Sequence, residues 1–209
     1  TINSYSTHTE EKSQKIKELK KGSNSHNWNL RYPEAKKFDG MIFWWGSLAG
    51  SKVNPGEYTV SLNINGKSEN QKFKVLKDPR LNISDEDYQE QTDFINSVND
   101  KVTEAHEAII EMRKLKDQIK AFQKNHKIEI IDLKISDIDS TLSLIEKELY
   151  QTQNKSGQDP LNFPIKLTNK LAHLNSLVQI GDGKPTDQMY TVRDELTSMI
   201  DKQLNNYYD

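Results

Sequence analysis

Six aromatic residues in one stretch have the type and spacing best suited to ligand binding: Trp28, Tyr32, Phe38, Phe43, Trp44 and Trp45. An aromatic ring presents an apolar face that accepts C–H groups, so such a set can form a stacking platform for sugar rings. We take Trp44, Trp45 and Tyr32 as the candidate ligand-binding residues. The alternative is that the rings fill the seam between two parts of the fold, because a small domain with a thin core needs large side chains for burial. Since neighbouring residues of an extended segment point to opposite faces, Trp44 and Trp45 are expected to take one inward and one outward position.

The titratable residues do not have the spacing that acid–base or metal chemistry requires. The chain has no cysteine and five histidines, none of them three or four residues from another: His8, His26, His106, His126 and His173. Metal-ligand spacing is therefore absent. Asp85, Glu86 and Asp87 suit the start of a helix, where they complement its dipole. Asp137 and Asp139 fall on different sides of a predicted helix, the wrong arrangement for a two-carboxylate acid–base pair. We predict no catalytic residue, no metal site and no cofactor.

The composition of the 209-residue chain weighs against two further classes. Lys and Arg number 29 against 31 Asp and Glu, for a net charge of -2, so no overall field attracts nucleic acid. No apolar run approaches the ~18 residues of a membrane span. The chain opens at Thr1 without a Met or a signal sequence, and we expect it to be an excised piece of a longer protein. With a hydrophobic share of only 33%, the apolar residues must recur periodically to build a core.

Residues 1–80 have the pattern of a small antiparallel β-sandwich. Apolar and polar residues alternate from Glu57 to Ile64, the period of a half-buried strand. The dipeptide Asn65-Gly66 follows and favours the type I′ turn of a hairpin. A second strand is predicted over Lys67–Leu76, in a register that pairs Ile64 with Lys67, Val60 with Gln71 and Tyr58 with Phe73.

Two earlier strands are predicted at His26–Tyr32 and Lys15–Leu19. The segment between His26–Tyr32 and the hairpin is interrupted by Pro and Gly residues and is rich in aromatic residues. We expect it to be a long loop, of the kind that is usually functional or packed against a neighbouring element.

Residues 81–209 change to the period of helices. Ser84 and Asp87 form a capping signal, and the apolar stripe that follows continues to Asn125. The regular three–four spacing of apolar residues from Ile128 to Leu149, here called the seam, predicts a second helix with coiled-coil-like packing. Third and fourth helices are predicted before Gly181 and after Thr186. Four such stripes predict an antiparallel four-helix bundle. We expect the seam to be buried within this bundle, which leaves the chain a monomer.

Four stretches of the chain also resemble a known family. They are WNLRYPEAKKFDGMIFWWG (Trp28–Gly46), NPGEYTVSLNINGKSENQKFKVLKDPR (Asn54–Arg80), ELYQTQNKSGQDPLNFPIKLTNKLAHL (Glu148–Leu174) and GDGKPTDQMY (Gly181–Tyr190). These resemble the C-terminal region of large secreted bacterial proteins with sortilin-like, Asp-box (BNR) repeat β-propellers, which are often labelled glycosyl hydrolase-like. The strand part is also similar to the immunoglobulin-like domain of flagellar hook-capping proteins.

The resemblance implies an α+β chain in which an immunoglobulin-like sandwich (residues 1–80) precedes the helical bundle (residues 81–209). It implies a secreted, periplasmic or cell-surface location, and a β-propeller that precedes this region in the same parent chain. Any sugar-cleaving chemistry is expected in that propeller, so no catalytic residue transfers to this chain. The expected role is a non-catalytic structural or interaction module. The alternative is a carbohydrate-binding accessory module that uses the Trp-rich loop.

Overall fold

The computed structural model describes residues 21–126 and 129–208. Within this part the chain is a mixed α+β fold with one two-stranded antiparallel sheet and four α-helices. The elements, in chain order, are β1 (Gly56–Ile64), β2 (Lys67–Val75), α1 (Asp85–Asn125), α2 (Glu129–Leu149), α3 (Leu167–Val178) and α4 (Asp187–Tyr208), with a short 3-10 turn at Asp159–Leu161 between α2 and α3.

The hairpin forms as its sequence predicts. Ile64 pairs with Lys67, Val60 with Gln71 and Tyr58 with Phe73, which confirms the register. The turn residues Asn65 and Gly66 have φ angles of 48° and 81°, the positive values that a type I′ turn requires at both central positions. All residues from 61 to 70 are exposed, so the end of the hairpin next to the turn stands away from the other described residues.

The described residues contain fewer strands than the sequence predicts. The segment His26–Tyr32 contributes only an isolated bridge, between Arg31 and Lys52. The physical reason lies at Leu30, whose φ of 56° interrupts the extended backbone that a strand needs. The predicted strand at Lys15–Leu19 lies outside the described residues.

Helix α1 is the central element of the helical part. It begins at the predicted capping box, in which the Asp87 backbone N–H donates to Ser84 Oγ at 3.0 Å and the Ser84 N–H donates to Asp87 Oδ2 at 3.3 Å. It ends at Asn125, as predicted. Its fully buried side chains all lie between Gln91 and Met112, and the part of α1 after Met112 is only partly covered.

The helix directions differ from the predicted antiparallel bundle. Helix α2 runs antiparallel to the second half of α1, and their facing side chains meet as Arg113–Glu146, Lys116–Ser143 and Gln123–Asp132. Helix α3 runs antiparallel to the first half of α1, with Gln91 donating to the carbonyl of Val178 and Asn175 donating to Asn99.

Helix α4, in contrast, runs parallel to α1. Ser97 contacts Arg193, and Lys101 forms an ion pair with Asp201. Later residues of α1 thus contact later residues of α4, as in a parallel pair. Helices α2 and α3 therefore follow each other end to end along α1, joined where Thr168 donates to the carbonyl of Leu149. A chain that returns along α1 in two steps arrives near the start of α1, and the next helix must then run in the same direction as α1.

The seam of α2 is only partly buried. Leu142, Ile145 and Leu149 belong to the hydrophobic core, whereas Ile131 and Ile138 are 36% and 45% exposed. The core also includes Ala35, Phe38 and Leu48 from the long loop before the hairpin, together with residues of all four helices. The loop and the helices thus share one hydrophobic core across the predicted boundary at residue 80.

Candidate functional site

The long loop is held in a hairpin-like shape by its own backbone. Tyr32 N–H donates to Ser51 O at 2.9 Å and Ala35 N–H donates to Leu48 O at 2.8 Å. The two arms approach so closely at Gly50 that a Cβ atom there would lie 2.0 Å from the carbonyl oxygen of Tyr32. Only glycine fits such a contact. The loop is therefore an ordered part of the fold, with its returning arm pressed against the outgoing one.

Buried amide side chains attach this loop to α1 and α3. Asn175 Nδ2 donates to Ala49 O at 2.9 Å and to Asn99 Oδ1 at 2.8 Å, and Asn99 Nδ2 donates to Ala49 O at 3.1 Å. Gln179 donates to Asn175 and accepts from Arg31, which also donates to Gly50 O at 2.8 Å. Asn175 is fully buried. We refer to Asn99, Asn175 and Gln179 as the amide network.

The amide network has no motif in the sequence, and it was not among the predicted functional residues. Its one sequence signal is that each asparagine directly follows a buried apolar residue of its helix. Asn99 follows Val98, and Asn175 follows Leu174. A buried polar side chain needs partners, and here the partners are loop carbonyls. The network is therefore structural: it orients the loop above the helices.

The candidate residue Trp44 lies in a segment that runs along α3. Its backbone N–H donates to Asn169 Oδ1 at 2.8 Å, and Asn169 Nδ2 donates back to Trp44 O at 2.9 Å. Three residues later, Ser47 N–H donates to Ala172 O at 3.0 Å. Gly46 packs so closely here that a Cβ atom would lie 2.8 Å from Asn169 Nδ2. The backbone around Trp44 is fixed on both sides, and its side chain is half-buried.

Trp45 is the large side chain that this segment presents to solvent. It is 72% exposed, and its φ angle is 58°. The left-handed region is unfavourable for a bulky residue, by roughly 1–2 kcal/mol. Ser176 Oγ donates to Trp45 O at 2.6 Å and helps to hold this conformation. The rings of Trp44 and Trp45 have centroids 6.5 Å apart and are tilted by 57° to each other.

The third candidate, Tyr32, lies in a different environment. Burial raises the pKa of its phenol. The Tyr32 side chain forms a hydrogen bond with Tyr58, at the base of the hairpin. Trp28 is found in the same region, with its ring edge-on to Tyr58 at 6.0 Å and to Phe73 at 6.2 Å. Four of the six predicted aromatic residues therefore fall into two groups, with Trp28 and Tyr32 at the hairpin base and the Trp44–Trp45 pair over α3.

The remaining aromatic residues of the loop surround a buried histidine. Phe38 and Phe43 contact the His106 ring edge-on, at centroid distances of 5.0 and 5.6 Å. The His106 Nδ1 atom lies 2.6 Å from Lys36 O, so the neutral ring carries its proton on Nδ1, and Nε2 is buried with no partner among the described residues. Burial lowers the pKa of His106 to about 4, with nearby Arg113 adding to the effect. His106 is thus a neutral packing residue at pH 7.

The two carboxyl groups that line the cavity at the hairpin base are both engaged in ion pairs. A cavity of 390 Å³ between the hairpin base and α1 is lined by Asp78 and Asp182, among others. Asp182 pairs with Lys52 at 2.9 Å. Hydrogen bonds from Arg80 lower the pKa of Asp78. A glycosidase needs one carboxyl group with a raised pKa to act as the acid. The pKa of Asp78 is lowered, the opposite of what a glycosidase acid requires.

Among the residues whose side chains the structure describes, no group of three or more His, Asp or Glu is arranged to hold a metal ion. Within the same part of the chain, none of the helices has both the length and the apolar character needed to cross a membrane.

Comparison of the chain with protein-family models, with curated proteins and with solved structures found no match.

Proposed function

We propose that the chain is a non-catalytic structural and interaction module in the C-terminal region of a larger secreted protein of the sortilin-like, Asp-box repeat propeller type. Its partner in this proposal is the β-propeller that precedes it in the same parent chain, at a periplasmic, extracellular or cell-surface location. The proposal rests on the resemblance of the four stretches, and the structure supplies a surface suited to the role.

The observation that carries the proposal is the presentation of Trp45. A bulky side chain is kept in a left-handed backbone conformation and 72% exposed, on a segment fixed to α3 by hydrogen bonds. Strained residues of this kind persist only where the surroundings over-determine them, and they cluster at sites that bind. A tryptophan on a rigid support is also a common anchor of protein interfaces. Trp45 is therefore the residue we assign to contact with the propeller.

Binding of this chain to the separately produced propeller tests the assignment. We expect calorimetry to show association that Trp45→Ala weakens at least tenfold, the scale of an interface anchor. Trp45→Phe keeps a ring at the same position and serves as the matched control. No association of the two parts, or equal affinity of the Trp45→Ala variant, contradicts the proposal.

A second candidate is a carbohydrate-binding accessory module that uses Trp44 and Trp45. The observation in its favour is the same exposed ring, which has the apolar face that sugar C–H groups stack on. Titration with oligosaccharides, followed by tryptophan fluorescence, distinguishes the two candidates. Saturable quenching in wild type, together with calorimetric binding that Trp45→Phe retains and Trp45→Ala loses, favours the sugar ligand. Unchanged fluorescence up to millimolar sugar rejects it.

We further propose that the hairpin belongs to an immunoglobulin-like sandwich. The support is an uncovered apolar row on one face of β1, where Val60, Leu62 and Ile64 are 50%, 43% and 43% exposed. Trp28 covers the base of the same face. A second layer from the part of the chain before Lys21, where Lys15–Leu19 is the predicted strand, is the covering we propose. Faster hydrogen exchange at the β1 amides after removal of residues 1–20 is the expected result, and unchanged exchange contradicts it.

A further inference from the structure

A cavity of about 700 Å³ lies between the end of α2, the loop that follows it and the end of α4. This volume falls within the range of small-ligand sites. Its lining includes Leu144 of α2, Gln153 of the loop, and Gln203 and Asn206 of α4. None of the aromatic candidate residues belongs to the lining. The cavity is therefore a concave surface separate from the long aromatic loop.

The loop wall of this cavity is braced from inside the protein. Gln151 is 7% exposed, and both ends of its amide group are engaged. Its Nε2 donates to Pro164 O at 2.9 Å, and its Oε1 accepts from the Gln153 N–H at 3.2 Å. The wall at the end of α4 is anchored by Leu204, which is buried in the hydrophobic core. The lining side chains are thus carried by fixed elements, as a precise binding site requires.

Four polar side chains at this cavity are not engaged within the protein. Among the described residues, no hydrogen bond is made by the side chains of Thr152, Gln153, Gln203 and Asn206. Gln203 and Asn206 are three positions apart in α4, so they lie on the same face of the helix. The cavity at the hairpin base differs, because its carboxyl groups are held in ion pairs. The amide and hydroxyl groups at the α2–α4 cavity are left to bind a ligand.

We propose that this cavity binds a small neutral carbohydrate through its hydroxyl groups. A side-chain amide carries an NH2 donor and a carbonyl acceptor on one planar group. Neighbouring hydroxyl groups of a sugar ring accept from the first and donate to the second, so one amide pairs with two of them. An apolar ligand would leave the amide groups without partners, which is unfavourable. The unengaged amides therefore select a ligand rich in hydrogen-bonding groups.

The charges at the cavity favour a neutral ligand over an acidic one. Lys166 and Glu148 are paired with each other at 3.2 Å. Lys147 is the one lining cation without an ion-pair partner among the described residues, and it is exposed. Strong binding of an anion depends on charge-assisted hydrogen bonds from well-placed cationic groups. A single exposed lysine gives an acidic sugar little advantage over a neutral one.

A peptide is the other kind of ligand whose groups match an amide. Peptides that bind in an extended form add to the edge of a sheet, where the backbone groups of the protein pair with their own. The walls of this cavity are two helices and a loop, so they offer side chains and no strand edge. Side-chain amides and a hydroxyl around one opening suit the closely spaced hydroxyl groups of a sugar ring better.

Titration of the isotope-labelled full chain, followed by NMR of its side-chain amide groups, tests the site. The probes are maltose, cellobiose and diacetylchitobiose, with glucuronic acid and a blocked tri-alanine peptide as comparison ligands. We expect the amide signals of Gln153, Gln203 and Asn206 to shift together and saturably with at least one of the three neutral sugars. The indole signals of Trp44 and Trp45 are expected to stay in place, because the site does not involve them. The comparison ligands are expected to cause no saturable shift.

A matched pair of variants on α4 tests the residues themselves. Gln203→Glu keeps the shape of the side chain and replaces its NH2 donor with an acceptor oxygen. Asn205→Asp makes the same change of charge at an exposed position outside the cavity. We expect Gln203→Glu to raise the dissociation constant of the bound sugar at least tenfold and Asn205→Asp to leave it nearly unchanged. No saturable shift with any of the three sugars, shifts confined to the indole signals, equal losses in the two variants, or tighter binding of a comparison ligand overturns the proposal.

Discussion

Protonation of His106 should make the stability of this protein fall between pH 7 and pH 4. The pKa of His106 is lowered from 6.5 to about 4, because burial disfavours the cation and Arg113 lies nearby. As pH falls below 6.5, the unfolded chain binds this proton and the folded chain does not, so the free energy of unfolding decreases until about pH 4. The difference in pKa corresponds to about 2 kcal/mol lost by pH 5 and about 3 kcal/mol by pH 4.

Urea unfolding at pH 7 and pH 5, followed by circular dichroism, measures this loss. The interval lies above the pH at which Asp78 and Asp159 contribute, since hydrogen bonds lower the pKa of both carboxyl groups from 3.8. His106→Leu keeps an apolar side chain between Phe38 and Phe43 and removes the titration. We expect the variant to lose about 2 kcal/mol less than wild type between the two pH values. His173→Gln serves as a control that retains the wild-type difference. An equal pH dependence in His106→Leu and wild type would refute the assignment.

The loop attachment gives two further predictions. Gly50→Ala places a Cβ atom 2.0 Å from a backbone oxygen and should cost at least ~3 kcal/mol or prevent folding, whereas Gly157→Ala, with nothing within 4 Å, should change the free energy of unfolding by less than ~0.5 kcal/mol. Asn175→Ala removes two donated hydrogen bonds from a buried network and should cost about 2–4 kcal/mol, with the exposed Asn205→Ala as control. Thermal and urea unfolding measure the stability of all four variants. If Gly157→Ala lowered the free energy of unfolding as much as Gly50→Ala, or Asn205→Ala as much as Asn175→Ala, the reasoning would be contradicted.

The sequence predicted correctly those elements whose structure is determined by interactions between residues close together in the chain. The Asn65-Gly66 turn fixed the register of the hairpin, since positive φ at both positions permits one turn type and one pairing. The capping box at Ser84 placed the start of α1 in the same way. In each case the interactions that decide the structure lie within about ten residues.

Features decided by contacts distant in sequence were not predictable in this way. The direction of α4 follows from the packing of α2 on the second half of α1 and of α3 on the first half. The spacing of apolar residues within each helix does not indicate this arrangement. The attachment of Ala49 to Asn99 and Asn175 joins residues 50 and 126 positions apart. The left-handed φ of Trp45 has no sequence signal, because the residue types that normally adopt it are Gly, Asn and Asp.

The magnitudes explain how the chain can maintain Trp45 in this conformation. A left-handed tryptophan costs roughly 1–2 kcal/mol. Against this stand four hydrogen bonds to the segment: two between Asn169 and the Trp44 backbone, one from Ser176 to Trp45 O, and one from Ser47 to Ala172 O. At a net ~1 kcal/mol each they exceed the strain. Packing of Gly46 against Ala172 and Asn169 leaves the segment little room to relax. Burial of the exposed Trp45 ring contributes little to stability, so the hydrogen bonds of the segment are what offset the strain, and the ring is left accessible for the contact proposed above.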